Sequence, residues 1–183
     1  MQNMNTNASK DELNQLINYN PIATFFLDKD GFVTNWNKSC ELLTGVKADD
    51  VVGTKDAWKP FYEAERPVLA NIILRGGNIE EMDKYYPNMY TKSSFLKEGY
   101  EVVSFVTKIK KWIIFSANPI LDDSGNVIGA VETIQDITNL KNQEDIIKKY
   151  GEMEKMNELM VGRELKMIEL KKEIDDLKKT CKL

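Results

Sequence analysis

Residues 20–45 read NPIATFFLDKDGFVTNWNKSCELLTG. Within them IATFFLD (22–28) and FVTNWN (32–37) are rich in β-branched and aromatic residues, and both read as strands. Lys29-Asp30-Gly31 between them supplies the residue types that a tight or bulged hairpin turn requires. SCELLTG (39–45) then reads as a short helix, stopped by Gly45. A hairpin that runs directly into a helix predicts an antiparallel sheet with helical connections.

Upstream, residues 1–8 are expected to be disordered. Ser9 and Glu12 form a capping-box pattern that opens a helix over 9–20, with Leu13, Leu16 and Ile17 on one side and Pro21 as its stop. Downstream, KADDVVG (47–53) and KDAWKPFY (55–62) read as helical turns, and Leu69 to Leu74 as part of a longer helix beginning after Pro67. Residues 76–100 read as a polar and aromatic connection. The pattern then changes to strands: EVVSFVTKI (101–109), KWIIFSANPI (111–120), a turn at DDSGN (122–126), and VIGAVETIQDIT (127–138). Two strands, several short helices and three strands predict an α+β domain over 21–138, a five-stranded antiparallel sheet with helices on one face.

The composition removes several function classes. With 25 basic and 29 acidic residues, the net charge of −4 argues against nucleic-acid binding. No histidine is present, so triads, imidazole-ligated zinc or haem and histidine phosphotransfer within this chain are excluded. Cys40 and Cys181 are too far apart in sequence for a CxxC pair. Cys40 reads as a packed thiol, with metal ligation or cofactor attachment as the other reading. No glycine-rich phosphate loop occurs, and neither a metal site nor a catalytic acid–base pair is expected. No membrane span or signal peptide is read, and a cytoplasmic location is expected.

Residues 139–183 differ in kind, with 11 basic and 10 acidic residues among 45. Ile146, Met153, Met160, Met167, Ile174 and Cys181 recur every seven residues. The positions three later are Lys149, Met156, Arg163, Leu170 and Leu177. That seam predicts a coiled-coil helix, with Ile146, Met153, Met156, Met160, Met167, Leu170, Ile174, Leu177 and Cys181 as its dimerisation residues. A parallel homodimer is expected, and a helix folded back on its own domain is the alternative.

Three segments carry a resemblance to a known family: residues 20–45, VVGTKD (51–56) and SANPILDDSGNVIGAVETIQDIT (116–138). In this order they resemble the opening hairpin with its asparagine-started helix, and the closing hairpin, of PAS domains of the kind found in bacterial or archaeal histidine kinases. The resemblance implies a PAS fold and a non-enzymatic sensory or signal-relay module, homodimeric in many members. A small molecule would bind between sheet and helices, and its state would pass along a helix to a kinase, a cyclase or another signalling output domain, as in two-component systems. LMVGRELKMIELKKEIDDL (159–177) resembles the linker that follows such domains. The output domain is expected on a separate partner or a longer chain. A ligand-free dimerisation or docking module is the second reading.

Light-sensing members carry a cysteine where Asp56 stands and a glutamine where Ile134 stands, so flavin is not expected; without histidine, neither is haem. An unknown small organic ligand, or none, remains. Trp58, Phe61 and Tyr62, spaced three and four apart, share one helical side. Phe25, Phe26, Phe105, Trp112 and Phe115 offer an opposing wall, and Tyr85, Tyr86, Tyr90, Asn118 and Glu132 offer polar groups. The ligand-binding set expected is Phe25, Trp58, Phe61, Tyr62, Tyr86, Asn118, Glu132 and Ile134, with ordinary core packing as the alternative role of the aromatics.

Overall fold

The computed structural model describes residues 3–94 and 96–180, and Cys181 lies outside that range. In chain order the elements are α1 (Asn3–Asn18), β1 (Ala23–Asp28), β2 (Val33–Trp36), α2 (Lys38–Thr44), α3 (Ala48–Val51), α4 (Leu69–Leu74), α5 (Ile79–Tyr85), β3 (Tyr90–Lys92), β4 (Tyr100–Val106), β5 (Lys111–Leu121), β6 (Val127–Asp136) and α6 (Thr138–Thr180). The chain divides into two compact units at Thr138 and Asn139.

The first unit is built on one antiparallel sheet in the order β2-β1-β6-β5-β4-β3. It has six strands where the sequence predicts five. The sixth, β3, pairs Tyr90, Thr91 and Lys92 with Val102, Glu101 and Tyr100. Three residues are too few to show an alternating pattern, so this strand is defined by its partner rather than by its own sequence.

The opening hairpin forms as read. Asp28 Oδ1 accepts from the N–H groups of Asp30 and Phe32, both at 2.9 Å, and Gly31 takes φ +83°, a conformation that a side chain would disfavour. Asn37 caps α2, its Oδ1 accepting from Cys40 N–H at 2.9 Å and from Thr24 N–H at 3.0 Å. Its Nδ2 donates to Ile22 O at 2.8 Å, so a fully buried amide ties helix to strand.

Alternation along the strands sorts the sheet into two faces. Ala23, Phe25 and Leu27 are buried on the same side as Ala130, Glu132 and Ile134, Ile113, Phe115 and Ala117, and Tyr100 and Val102. α2 contacts β1, α3 contacts β2, and α4 lies over β4, β5 and β6, burying Leu69, Ala70, Ile72 and Ile73. Asn14 and Ile17 of α1 instead line a groove with Phe26 and Ile120, positions of the opposite face, and with Ile128 at the bulge of β6.

Local expectations change at three places. α1 begins at Asn3, not after the Ser9 capping box, so residues 3–8 are helical rather than disordered. α4 is six residues long, not a long helix from Pro67; Gly76 and Gly77, at φ +86° and +64°, turn the chain away. Asn71 Oδ1 accepts from Val68 N–H at 3.1 Å and closes its first turn. The expected connection over 76–100 contains α5 as well as β3, and α5 is capped by Asn78, whose side chain accepts from Glu80 N–H at 2.8 Å.

The second unit, from Asn139, carries α6 onward as one continuous helix whose described side chains are almost all solvent-exposed. Within the first unit, Asp136 Oδ1 accepts from the N–H of Thr138, its last residue, at 2.9 Å, and Thr138 Oγ1 accepts from Trp112 N–H at 3.0 Å. Among the described residues no helix is long and apolar enough to cross a membrane.

Candidate functional site

On the helix-covered side of the sheet lies a cavity of about 400 Å³. Ser104 and Val106 of β4 and Phe115 of β5 supply its sheet wall, and Phe61, Tyr62, Arg66, Tyr85, Tyr86 and Met89 supply much of the rest. Phe61 stands edge-on to Phe115, with ring centroids 5.4 Å apart and planes at 88°. This T-shaped contact fixes the turn that follows α3 against the sheet.

The tyrosines are joined to one another. Tyr62 and Tyr86 hydroxyl oxygens lie 3.0 Å apart. Burial pushes both phenols above their ordinary range, Tyr86 well above it, so both remain neutral and able to donate. The Arg66 guanidinium sits 4.1 Å from the Tyr62 ring centroid, 4.9 Å from that of Tyr86 and 5.0 Å from that of Tyr85. Its Nη2 donates to Tyr85 O at 2.8 Å.

Of the residues expected to bind a ligand, the structure brings Phe61, Tyr62 and Tyr86 to this cavity. Phe25 is buried against Trp36, their centroids 5.3 Å apart, and Ile134 lies in the sheet core. Trp58 is half-buried against that core and does not line the cavity. Asn118 pairs with Val131, one position out of phase with buried Ala117, so it belongs to the other face. Its Oδ1 presses on Gly99, where an added Cβ would come within 1.9 Å.

Glu132 is the buried acid of the sheet. Phe25 and Ala117 flank it on the neighbouring strands, and its Oε2 accepts from Ala70 N–H at 2.7 Å. Burial pushes its carboxyl up to about 8, with the Ala70 bond opposing the shift. At neutral pH the group is therefore mostly a neutral acid beneath α4.

Arg66 and Met89 are among the cavity residues that sequence reasoning missed, as are Ser104 and Val106 of β4. Arg66 and Met89 lie in irregular segments, where no periodicity marks the direction of a side chain. Cys40 is fully buried and its thiol is pushed well up by burial, which describes packing. Among the described residues no group of three or more acidic or thiol side chains is placed to hold a metal.

The model of a PAS domain matches residues 21–139, and the chain belongs to that family of signalling and sensor modules. Among solved structures, an RNA-binding Light-Oxygen-Voltage receptor aligns with a TM-score of 0.54 at 16% identity, over 81% of this chain and 38% of the receptor. The chain thus spans well under half the length of that relative. The PAS domain of Bordetella pertussis BvgS aligns at 17% identity over 82% of this chain and 98% of that domain, TM-score 0.47. The PAS domain of the histidine kinase ThkA aligns at 21% identity over 63% and 98%, TM-score 0.39. No curated protein matches.

Proposed function

We propose that the chain is a non-enzymatic sensory or relay module. A small organic molecule, neither flavin nor haem, occupies the cavity beside Phe115, and its presence is passed through a dimeric α6 to a kinase, a cyclase or another output partner. The observation that carries this reading is the cavity itself: about 400 Å³, walled by aromatic side chains and bordered by a few polar groups. That size and lining suit a small ligand.

The relay half rests on α6. Ile146, Met153, Met160, Met167 and Ile174 are all at least half exposed on the single chain. So continuous an apolar stripe is stabilised by pairing. The same stripe favours the second reading, a ligand-free dimerisation or docking module.

Native mass spectrometry of protein purified from its own host separates the two. A dimer carrying a stoichiometric small molecule, lost in a Phe115→Trp variant that fills the cavity, supports the sensor. A dimer of bare chain mass, with no ligand captured from host extract, supports docking alone. The cytoplasmic location belongs to this proposal, and localisation of a tagged full-length protein tests it.

A further inference from the structure

The geometry points to the chemical class of the ligand: a small organic carboxylate with an aromatic or apolar body, its anionic end held by the Nε–H edge of Arg66. This rests on the ligand-binding reading above.

Arg66 is the anchor because its hydrogen bonding is incomplete. Its Nε is buried and has no hydrogen-bond partner. A buried N–H left unpaired is costly and uncommon in folded proteins. Among the described residues no carboxylate forms an ion pair with Arg66, and the one oxygen it reaches, Tyr85 O, is a neutral carbonyl. Three tyrosine ring centroids lie within 5.0 Å of the guanidinium carbon, and the unpaired Nε–H is the donor left for a ligand. The guanidinium edge that carries it matches a carboxylate in geometry.

A second unspent donor at the cavity has the same sign. Tyr62 and Tyr86 share one hydrogen bond but own two hydroxyl protons, so one O–H is left to donate. Phe61, Met89, Val106 and Phe115 provide an apolar wall for the body of the molecule. A cationic ligand is disfavoured, because the tyrosine cage that would receive it already holds Arg66. Glu63 and Glu65 at the same cavity are solvent-exposed and screened, and Lys108 offsets part of their charge.

The test uses matched pairs that differ only in charge: phenylacetate with phenylacetamide, and 3-phenylpropionate with 3-phenylpropanamide. Each is titrated into the ¹⁵N-labelled full chain while backbone amides and the Arg66 Nε–Hε resonance are followed. The expected result is that each carboxylate binds at least tenfold tighter than its amide and shifts the Arg66 Nε–Hε signal. Arg66→Gln should erase the difference between acid and amide, and Arg66→Lys should restore only part of it. Equal binding of acid and amide, with shifts at Phe61 and Phe115, would overturn the carboxylate assignment and leave the pocket reading standing. No shift at any cavity residue with any of the four probes at millimolar concentration would overturn both. The comparison in the unsubstituted protein decides the matter even if the Arg66 variants fold poorly.

Discussion

Ala70 N–H and Glu132 Oε2, 62 positions apart in sequence, are joined by a 2.7 Å hydrogen bond in the interior. Ala70 is in the first turn of α4, where backbone N–H groups have no partner within the helix. The central strand of the sheet supplies the acceptor. One acid thus satisfies the start of the helix that covers β4, β5 and β6.

Stability should therefore fall as pH rises through the neutral range. Below about 4.5 Glu132 is protonated in both folded and unfolded chains. Between there and about 8 the unfolded chain releases the proton and the folded chain keeps it, which costs the fold about 1.4 kcal/mol per pH unit. Glu132→Gln retains an acceptor for Ala70 and does not titrate. Urea midpoints measured from pH 5 to 8 should decline for the native sequence and stay nearly flat for Glu132→Gln.

On the acid side the sign reverses. Glu41, bonded by Lys38 at 2.7 Å and by Ala48 N–H at 2.9 Å, is held down at about 2. Asp136 is likewise held at about 2 by Lys111 and Thr138, against the opposing effect of its burial. Their contribution is present above the ordinary carboxylate range and is lost as pH falls towards 2. Glu41→Gln and Asp136→Asn should each flatten this acid limb when urea midpoints are measured from pH 5 down to 2, leaving the neutral limb to Glu132.

Asn37→Ala should be among the most damaging single changes. It removes the α2 cap and leaves the buried Thr24 N–H without its partner, while Ile22 O keeps only the Thr24 hydroxyl. Cap loss together with a buried unpaired N–H amounts to roughly 2–4 kcal/mol. Thermal unfolding should show a markedly lower midpoint, and an unchanged midpoint would remove Asn37 from its place as the tie between β1 and α2.

The glycines give a paired test of opposite sign. A Cβ at Gly129 would lie 2.6 Å from Leu27 O, a backbone atom of the adjoining strand, so Gly129→Ala should destabilise the domain. Nothing lies within 4 Å of such an atom at Gly151 inside α6, so Gly151→Ala should raise helix stability by up to about 1 kcal/mol. Circular dichroism melts of the two variants should move in opposite directions.

These positions also show what the sequence made legible. Asp28 to Phe32 and Asp122 to Asn126 announce their hairpins because Asx bonds and positive-φ glycines act within five residues. Asn37 is equally local in its capping role. Glu132 was readable as a polar strand residue but not as a buried acid, because its partner lies 62 positions away. Asn118 joined the expected ligand-binding set although it faces the other side: a register is fixed by pairing with a distant strand, and a shift of one residue reverses every face. Arg66 gave no signal because its environment is assembled from Tyr62, Tyr85 and Tyr86, across a segment with no regular period.

Deleting residues 139–183 should convert a dimer into a monomer or a much weaker dimer while leaving a cooperatively folded first unit, because that unit contains the whole sheet and its own core. Met160→Lys together with Met167→Lys should act in the same direction, since these seam positions are 57% and 51% exposed on the single chain and would bring four ammonium groups together in a pair. Sedimentation velocity across a concentration series measures both effects. Orientation follows from Ile174→Cys in a Cys181→Ser background: a parallel in-register pair brings the two introduced thiols together and cross-links on mild oxidation, whereas an antiparallel pair holds them apart. If the deletion variant remained fully dimeric, the principal interface would lie in the first unit, where Leu13 and Leu16 of α1 are also exposed, and α6 would lose its role as the clamp.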